Sequence, residues 1–213
     1  MLNKEKTRHF SEILEALGKT LDINKSQHEE VVKSYQTVGK LLSHENSLLA
    51  PYKPEILPQG SLLIGTLIKN VNDNDDIDVD LVCQLKGKQD EWTQKDLKQI
   101  VGDQIKTNKI YENMLEIPDG RRCWTLNYSD SANYHMDILP SIVDSNYRVL
   151  LEKAFSTREF EQLEKLAIRI TDKKRDDYDF EKNHLNWLKS NPFGYARWFF
   201  SKAIVTSNDV VVF

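Results

Sequence analysis

The chain has 213 residues, 29% of them charged and 39% hydrophobic, with 29 lysines and arginines against 33 aspartates and glutamates. The formal net charge of −4 argues against a protein that holds duplex DNA or an anionic membrane through a general basic surface. No apolar run approaches the roughly 20 residues that a membrane-spanning helix needs; the composition fits a folded chain, and the length fits one domain, or one domain plus a fragment of another.

The opening "MLNKEKTRHFSEIL" has no long apolar core and no small-residue cleavage site, so it does not read as a signal peptide. Phe10, Ile13, Leu14 and Leu17 recur at helical spacing. A second helix is predicted from Ser26, where "SQHE" has the form of a capping box with Glu29 three residues on. Its apolar stripe is Val31, Tyr35, Val38 and Leu42, and its expected end lies near His44. This long helix is expected to form a spine along one side of the fold. "APYKPEILPQGS" is a turn-rich entry, and "SLLIGTLIK" reads as a short helix opening directly after Gly60 and Ser61.

From Ile77 to Leu85 the pattern is that of a β-strand, and "EWTQKDLKQIVGDQI" is a predicted helix with Trp92, Leu97, Ile100, Val101 and Ile105 on its apolar side. "RRCWTLNY" and "NYHMDILPSIV" read as two strands joined by the short polar "SDSA". Beyond Ser156 the chain is expected to be helical: "STRE" is a further capping-box pattern leading into Phe160, Leu163, Leu166, Ala167 and Ile170. "FEKNHLNWLKS" and "PFGYARWFFSKA" read as later helices. The two cysteines, Cys83 and Cys123, sit in apolar runs; they fit a reducing cytoplasm and form no zinc or disulfide pattern.

The stretch "VNDNDDIDVDLVCQL" carries the chemistry, with five aspartates between residues 73 and 80. Asp73 and Asp75 read as a solvated acidic loop. On a strand, successive side chains alternate between faces, so Asp76, Asp78 and Asp80 share one face and Ile77, Val79 and Leu81 the other. Two unit charges ~4 Å apart repel by about 4 kcal/mol at a partly buried site, which a bound cation relieves. Oxygen-rich clusters favour Mg²⁺ or Mn²⁺. A third carboxylate is available at Asp137, within the apolar run "YHMDILPSI", and it could also accept a proton from an attacking hydroxyl. His135 shares the face of Asp137; it reads as a polar strand-end residue more readily than as a ligand. Gly60 and Ser61 stand at a loop-to-helix transition, where free N–H groups favour an anion, and Gln59 is a candidate for shaping that loop. Arg121 and Arg122 fit either a phosphate contact or a solvated strand end.

Taken together, "PQGSLLIGTLIK…DDIDVDLVCQL…YHMDILPSI" resembles the polymerase-β-like nucleotidyltransferases. It is similar in particular to the bacterial DncV-like second-messenger oligonucleotide or dinucleotide synthetases, relatives of cyclic GMP–AMP synthase and of 2′–5′-oligoadenylate synthetase. The flanks "LDINKSQHEEVVKSYQTVGKLL" and "SNPFGYARWFF" extend the resemblance from about Leu21 to Phe200. It implies an α+β fold, a mixed sheet backed by the spine helix and flanking helices. In the family pattern Gly60 and Ser61 bind a triphosphate, with Gln59 beside them, while Asp78, Asp80 and Asp137 hold divalent metal. A register with Asp76 and Asp78 as the pair also fits.

The implied reaction joins ATP, GTP or other NTPs into a cyclic di- or trinucleotide with Mg²⁺ or Mn²⁺ as cofactor, the product activating a separate effector in anti-phage signalling. Transfer of a nucleotide to a protein or RNA, or nucleotide binding without cyclisation, are the competing readings. The expected division is a catalytic core with N-terminal helices over 1–155 and a helical segment over 156–213. That segment stops where the C-terminal lobe of the family would develop.

Overall fold

The computed structural model describes residues 4–72, 76–128, 133–143, 146–156 and 163–206. Helices α1 (Lys4–Leu21) and α2 (Lys25–Ser43) come first, followed by strand β1 (Glu55–Pro58) and the one-turn helix α3 (Gly60–Ile64). Strand β2 (Ile77–Leu85), helices α4 (Gln94–Lys106) and α5 (Lys109–Met114), and strands β3 (Trp124–Tyr128) and β4 (Tyr134–Ile142) come next. Helix α6 (Tyr147–Ser156), strands β5 (Ile168–Ile170) and β6 (Leu188–Ser190) and helix α7 (Pro192–Thr206) complete the order.

The strands form one mixed sheet in the order β1-β2-β4-β5-β6, with β3 also paired to β4. β2 and β4 run parallel, and the other pairings are antiparallel. The α+β architecture and mixed sheet expected from the sequence are therefore present.

Period-two alternation splits the core into two layers. Ile77, Val79, Leu81, Cys83 and Leu85 of β2 join Met136, Ile138 and Ile142 of β4 on one face, against Val31, Val38 and Leu42 of α2 and Leu97, Val101 and Ile105 of α4. Each such residue, fully buried, contributes roughly 1.5–3 kcal/mol. On the opposite face Val82 and Leu139 pack with Tyr147, Leu166, Ile168 and Phe193. That second face carries carboxylates at Asp78, Asp80 and Asp137 and turns apolar only two residues further along each strand. Sheet geometry alone thus sets an acidic patch at one end of a buried layer.

Several boundaries differ from expectation. The capping box of α2 is formed by Asn24 and Gln27 rather than by Ser26 and Glu29, because Asn24 accepts from the Gln27 N–H while Gln27 reaches back to the Asn24 N–H. Helix α4 begins after Thr93, which forms a capping box with Asp96, so Trp92 lies before the helix. The stripe Phe10, Ile13, Leu14 and Leu17 does lie on helix α1, but no residue of α1 is buried.

The expectation of helix throughout 156–213 is corrected. Ser156 ends α6, Leu163–Leu166 is a single 3-10 turn, and Ile168–Ile170 is a strand whose alternating residues bury against β4. "FEKNHLNWLKS" gives a 3-10 turn at His184–Asn186 and then β6, while only the "PFGYARWFFSKA" segment is α-helical. Short apolar runs of this kind satisfy either period, and sheet pairing decides between them. The "SDSA" connection and Thr157–Phe160 lie outside the described residues. None of the described helices is long and apolar enough to cross a membrane.

Helix α4 is fastened to β3 through one large side chain. Trp124 is buried, its Nε1–H donates to the Lys98 carbonyl at 2.8 Å, and its ring lies over Gly102. A Cβ on Gly102 would sit 2.2 Å from the indole Cζ2. Gly102→Ala is therefore expected to lower stability by about 1–3 kcal/mol through overpacking, outweighing the roughly 1 kcal/mol that alanine gains in helix propensity. Urea denaturation measures it; an unchanged or raised midpoint would show that the indole has room to move.

Candidate active site

Parallel pairing of β2 with β4 sets Asp78 opposite His135 and Asp80 opposite Asp137. Paired residues share a face, so the three carboxylates converge: one oxygen from each of Asp78, Asp80 and Asp137 lies within 4.8 Å of the others. Asp76 is exposed and is not part of this cluster, so the geometry favours the Asp78–Asp80 register over Asp76–Asp78. Asp73 and Asp75 lie outside the described residues. His135 faces the cluster, with Nε2 3.2 Å from Asp78 Oδ1.

The electrostatics follow from the convergence. Partial burial pushes the Asp78 carboxyl above its ordinary range; His135 opposes this and the Asp137 charge adds to it. Asp80 is pushed up to about 6, first by burial and then by the charges of Asp78 and Asp137. Among the described residues no lysine or arginine forms an ion pair with the three. A cluster of hard oxygen donors with this much mutual repulsion fits a divalent cation of the Mg²⁺ or Mn²⁺ class. Asp137 has two further partners: the Thr125 hydroxyl, on β3 directly opposite, donates to its Oδ1, and the Cys123 thiol hydrogen-bonds to its side chain. Cys123, two residues before Thr125, is partly buried and free; burial and the charges of Asp137 and Asp80 raise its thiol pKa.

Helix α3 abuts the cluster. The Gln59 N–H donates to the Asp80 carbonyl at 2.9 Å, continuing the β1–β2 pairing to the helix start. Gly60 takes the left-handed backbone conformation (φ 57°), and a Cβ there would meet Asp80 Oδ2 at 2.3 Å. Glycine is thus required twice, by backbone angle and by contact. Gly65 ends the helix at φ 71°, its N–H bonding to the Ser61 carbonyl. The first N–H groups of such a turn have no partner within the helix.

Two clefts flank α3. One, of about 550 Å³, is lined by Ser61, Thr66, Lys69, Asn70, Asp78 and His135 among others. The other, of about 370 Å³, is lined by Gln59, Gly60, Asp80, Asn191 and Tyr195 among others. A third, of about 580 Å³, lies between α2, β1 and α6 and away from the carboxylates. Within it Arg148 pairs with Glu152 at 3.1 Å, and Glu55 pairs with Lys86 at 2.7 Å.

Arg121 and Arg122, left open between phosphate and solvent, both pair with the buried Asp172, at 2.6 and 3.0 Å. Burial works against the Asp172 charge, but hydrogen bonds from Arg121, the Lys174 N–H and Arg122 outweigh it and hold the carboxyl down at about 2. Sequence reasoning did not single out Thr125, Tyr195 or Asn191. Thr125 alternates with Trp124 and Leu126, a pattern that gives its face but not its partner; Tyr195 reads as one more aromatic in a helix.

Residues 54–140 match the family model of the cyclic GMP-AMP synthase DncV-like nucleotidyltransferase domain. A c-di-GMP synthase from Roseivirga ehrenbergii is 26% identical over 190 residues, covering 89% of this chain and 43% of that protein. The structure of the Bradyrhizobium diazoefficiens CD-NTase CdnG in complex with GTP superposes with a TM-score of 0.57 at 18% identity, over 85% of this chain and 43% of the other. Vibrio cholerae DncV with the linear intermediate 5′ pppA(3′,5′)pG gives a TM-score of 0.53 at 11% identity, over 96% and 59%. These structural likenesses show a common fold, and the chain spans less than half the length of the curated relative.

Two outcomes are expected from the crowding at Asp80. Gly60→Ala, adding both a strained backbone angle and a contact with the carboxylate, is expected to destabilise the chain by about 1–2 kcal/mol or more, read by chemical denaturation; an unaltered midpoint would mean that Asp80 swings aside freely. The second concerns pH. Folded Asp80 keeps its proton to about 6, whereas an ordinary aspartate releases it near 3.8. The folded state holds more protons across that window, so this group's contribution to stability falls as pH rises through it, and the penalty is complete above it. In metal-free buffer Asp80→Asn is expected to raise the melting temperature at pH 8, the gain shrinking as pH is lowered towards 4. A gain independent of pH would locate its origin elsewhere than in the charge.

Proposed function

We propose that this chain, whose residues 54–140 match the DncV-like nucleotidyltransferase domain model, is a nucleotidyltransferase of that kind and joins nucleoside triphosphates into a cyclic di- or trinucleotide. The observation that carries this reading is the convergence of Asp78, Asp80 and Asp137 beside the Gly60–Ser61 turn, with a cleft on either side. Asp78, Asp80 and Asp137 would hold Mg²⁺ or Mn²⁺. The bound ions supply charge neutralisation for in-line attack at phosphorus.

The chain's own groups account for the rest. The Gly60 and Ser61 backbone N–H groups and the Ser61 hydroxyl would bind the triphosphate, with the Gln59 N–H joining the turn to β2. Asp137, its Oδ1 held by Thr125, would accept the proton of an acceptor 2′- or 3′-hydroxyl. That hydroxyl oxygen bonds to the α-phosphorus as the α–β P–O bond breaks, and pyrophosphate leaves. Lys69 in one cleft and the aromatic face of Tyr195 in the other suit phosphate and base respectively. The name of the Roseivirga relative makes GTP the first substrate to try. Free Cys83 and Cys123 support action in the cytoplasm, and we place the product upstream of a separate effector in anti-phage signalling.

Mass spectrometry of products from all four NTPs, with Mg²⁺ or Mn²⁺, tests the proposal. A phosphatase-resistant cyclic product is expected, lost by about 10²-fold or more in Asp78→Asn and Asp137→Asn and abolished by chelation. Label on a protein or RNA instead of a small molecule would replace this reading with transfer to a macromolecule. Bound but unconverted NTP would reduce the chain to a nucleotide-binding module.

A further inference from the structure

We infer that Thr125 is a positioning residue for Asp137, its hydroxyl fixing the carboxylate plane so that Oδ2 is presented to the site shared with Asp78 and Asp80. The inference deepens the metal-dependent reading above and rests on it.

Three observations carry it. Thr125 stands directly opposite Asp137 in the β3–β4 register, and its Oγ1–H donates to Oδ1 at 2.5 Å. Thr125 is only 9% exposed, so water competes poorly for the same oxygen.

The third observation is the anchoring of β3 itself. Just before Thr125, Arg121 and Arg122 are tied to Asp172, the Lys173 N–H donates to the Arg121 carbonyl, and Thr171 Oγ1 donates to the Arg122 carbonyl. The buried Lys98 ammonium holds the Gly120 carbonyl and pairs with Asp119 at 2.7 Å. After these comes Trp124, locked to α4, and the Thr125 carbonyl itself accepts from the Glu116 N–H at 2.9 Å. A hydroxyl on so constrained a strand restricts rotation of the Asp137 carboxylate about its last bond, a torsion that is broad in a free side chain, and the Cys123 thiol adds a second contact. Partners behind a metal ligand commonly change ion affinity by about 10–100-fold.

The alternative is that Thr125 is simply a β-branched residue in a strand, and Mn²⁺ titration of the full chain separates the two. Thr125→Val keeps the shape without the hydroxyl, and Thr125→Ser keeps the hydroxyl with less bulk. Mn²⁺ affinity is expected to fall about tenfold in Thr125→Val and to stay close to that of the unmodified chain in Thr125→Ser. In an Asp137→Asn background, Thr125→Val should cause no further loss. Melting curves accompany each variant, and Thr125→Ala stands in should the valine form unfold. Equal affinity in Thr125→Val, an equal loss in the serine form, or the same tenfold loss repeated in the Asp137→Asn background would overturn the proposal while leaving the reading of the site intact. If the unmodified chain took up no Mn²⁺, or took it up regardless of Asp137→Asn, the metal-dependent reading would fail and this inference with it.

Discussion

Like charges set side by side on neighbouring strands are the constraint around which this structure is organised. Parallel pairing of β2 and β4 fixes Asp80 opposite Asp137, with Asp78 one step along the same face. The arrangement raises the Asp80 carboxyl to about 6, and each additional degree of burial makes it worse. The fold bears this because the opposite face of the same two strands is fully apolar and seals against α2 and α4. Several buried aliphatic side chains at roughly 1.5–3 kcal/mol each exceed a repulsion of about 4 kcal/mol per close pair.

The distribution of cations reinforces the point. Arg121 and Arg122 are engaged by Asp172, and Lys98 and Lys173 by Asp119. These pairs brace the approach to β3 and hold Thr125 against Asp137. Positive charge thus supports the site from behind, while Asp78 and Asp80 line the clefts beside α3. A protein arginine or lysine among the three acids would have neutralised them permanently and left no coordination for an exchangeable ion.

Much of this was legible in the sequence, for reasons that differ by residue. Alternation within "DIDVDLVC" gave the strand and the shared face of Asp78 and Asp80, because period two is rigid in a β-strand. An aspartate inside an apolar run marked Asp137, because an unpartnered buried charge is costly. The register that joins them was not in the local pattern: it depends on a parallel crossover through α4, α5 and β3. Thr125 was invisible for the same reason, since its face follows from alternation but its partner does not. The segment after Ser156 misled because "LAIRI" and "NWLKS" are too short to distinguish a helical from a strand period, and the free edge of β4 near Ser141 and Ile142 decided the matter.

Register also explains why the carboxylates are tolerable during folding. A slip of one residue in β2 would turn Asp78 and Asp80 into the layer now filled by Val79 and Leu81. Two carboxylates would then lie among Leu97, Val101 and Met136, with no polar partner, a far greater penalty than their mutual repulsion at the surface of the other layer. The same charges that strain the correct pairing therefore exclude its nearest competitor. Gly60 narrows the choice further, since only with Asp80 in its present place does the absent Cβ leave room for the carboxylate. The acidic strand is destabilised in the right register and forbidden in the wrong one, and that difference is what lets a cluster so unfavourable on its own be built reproducibly.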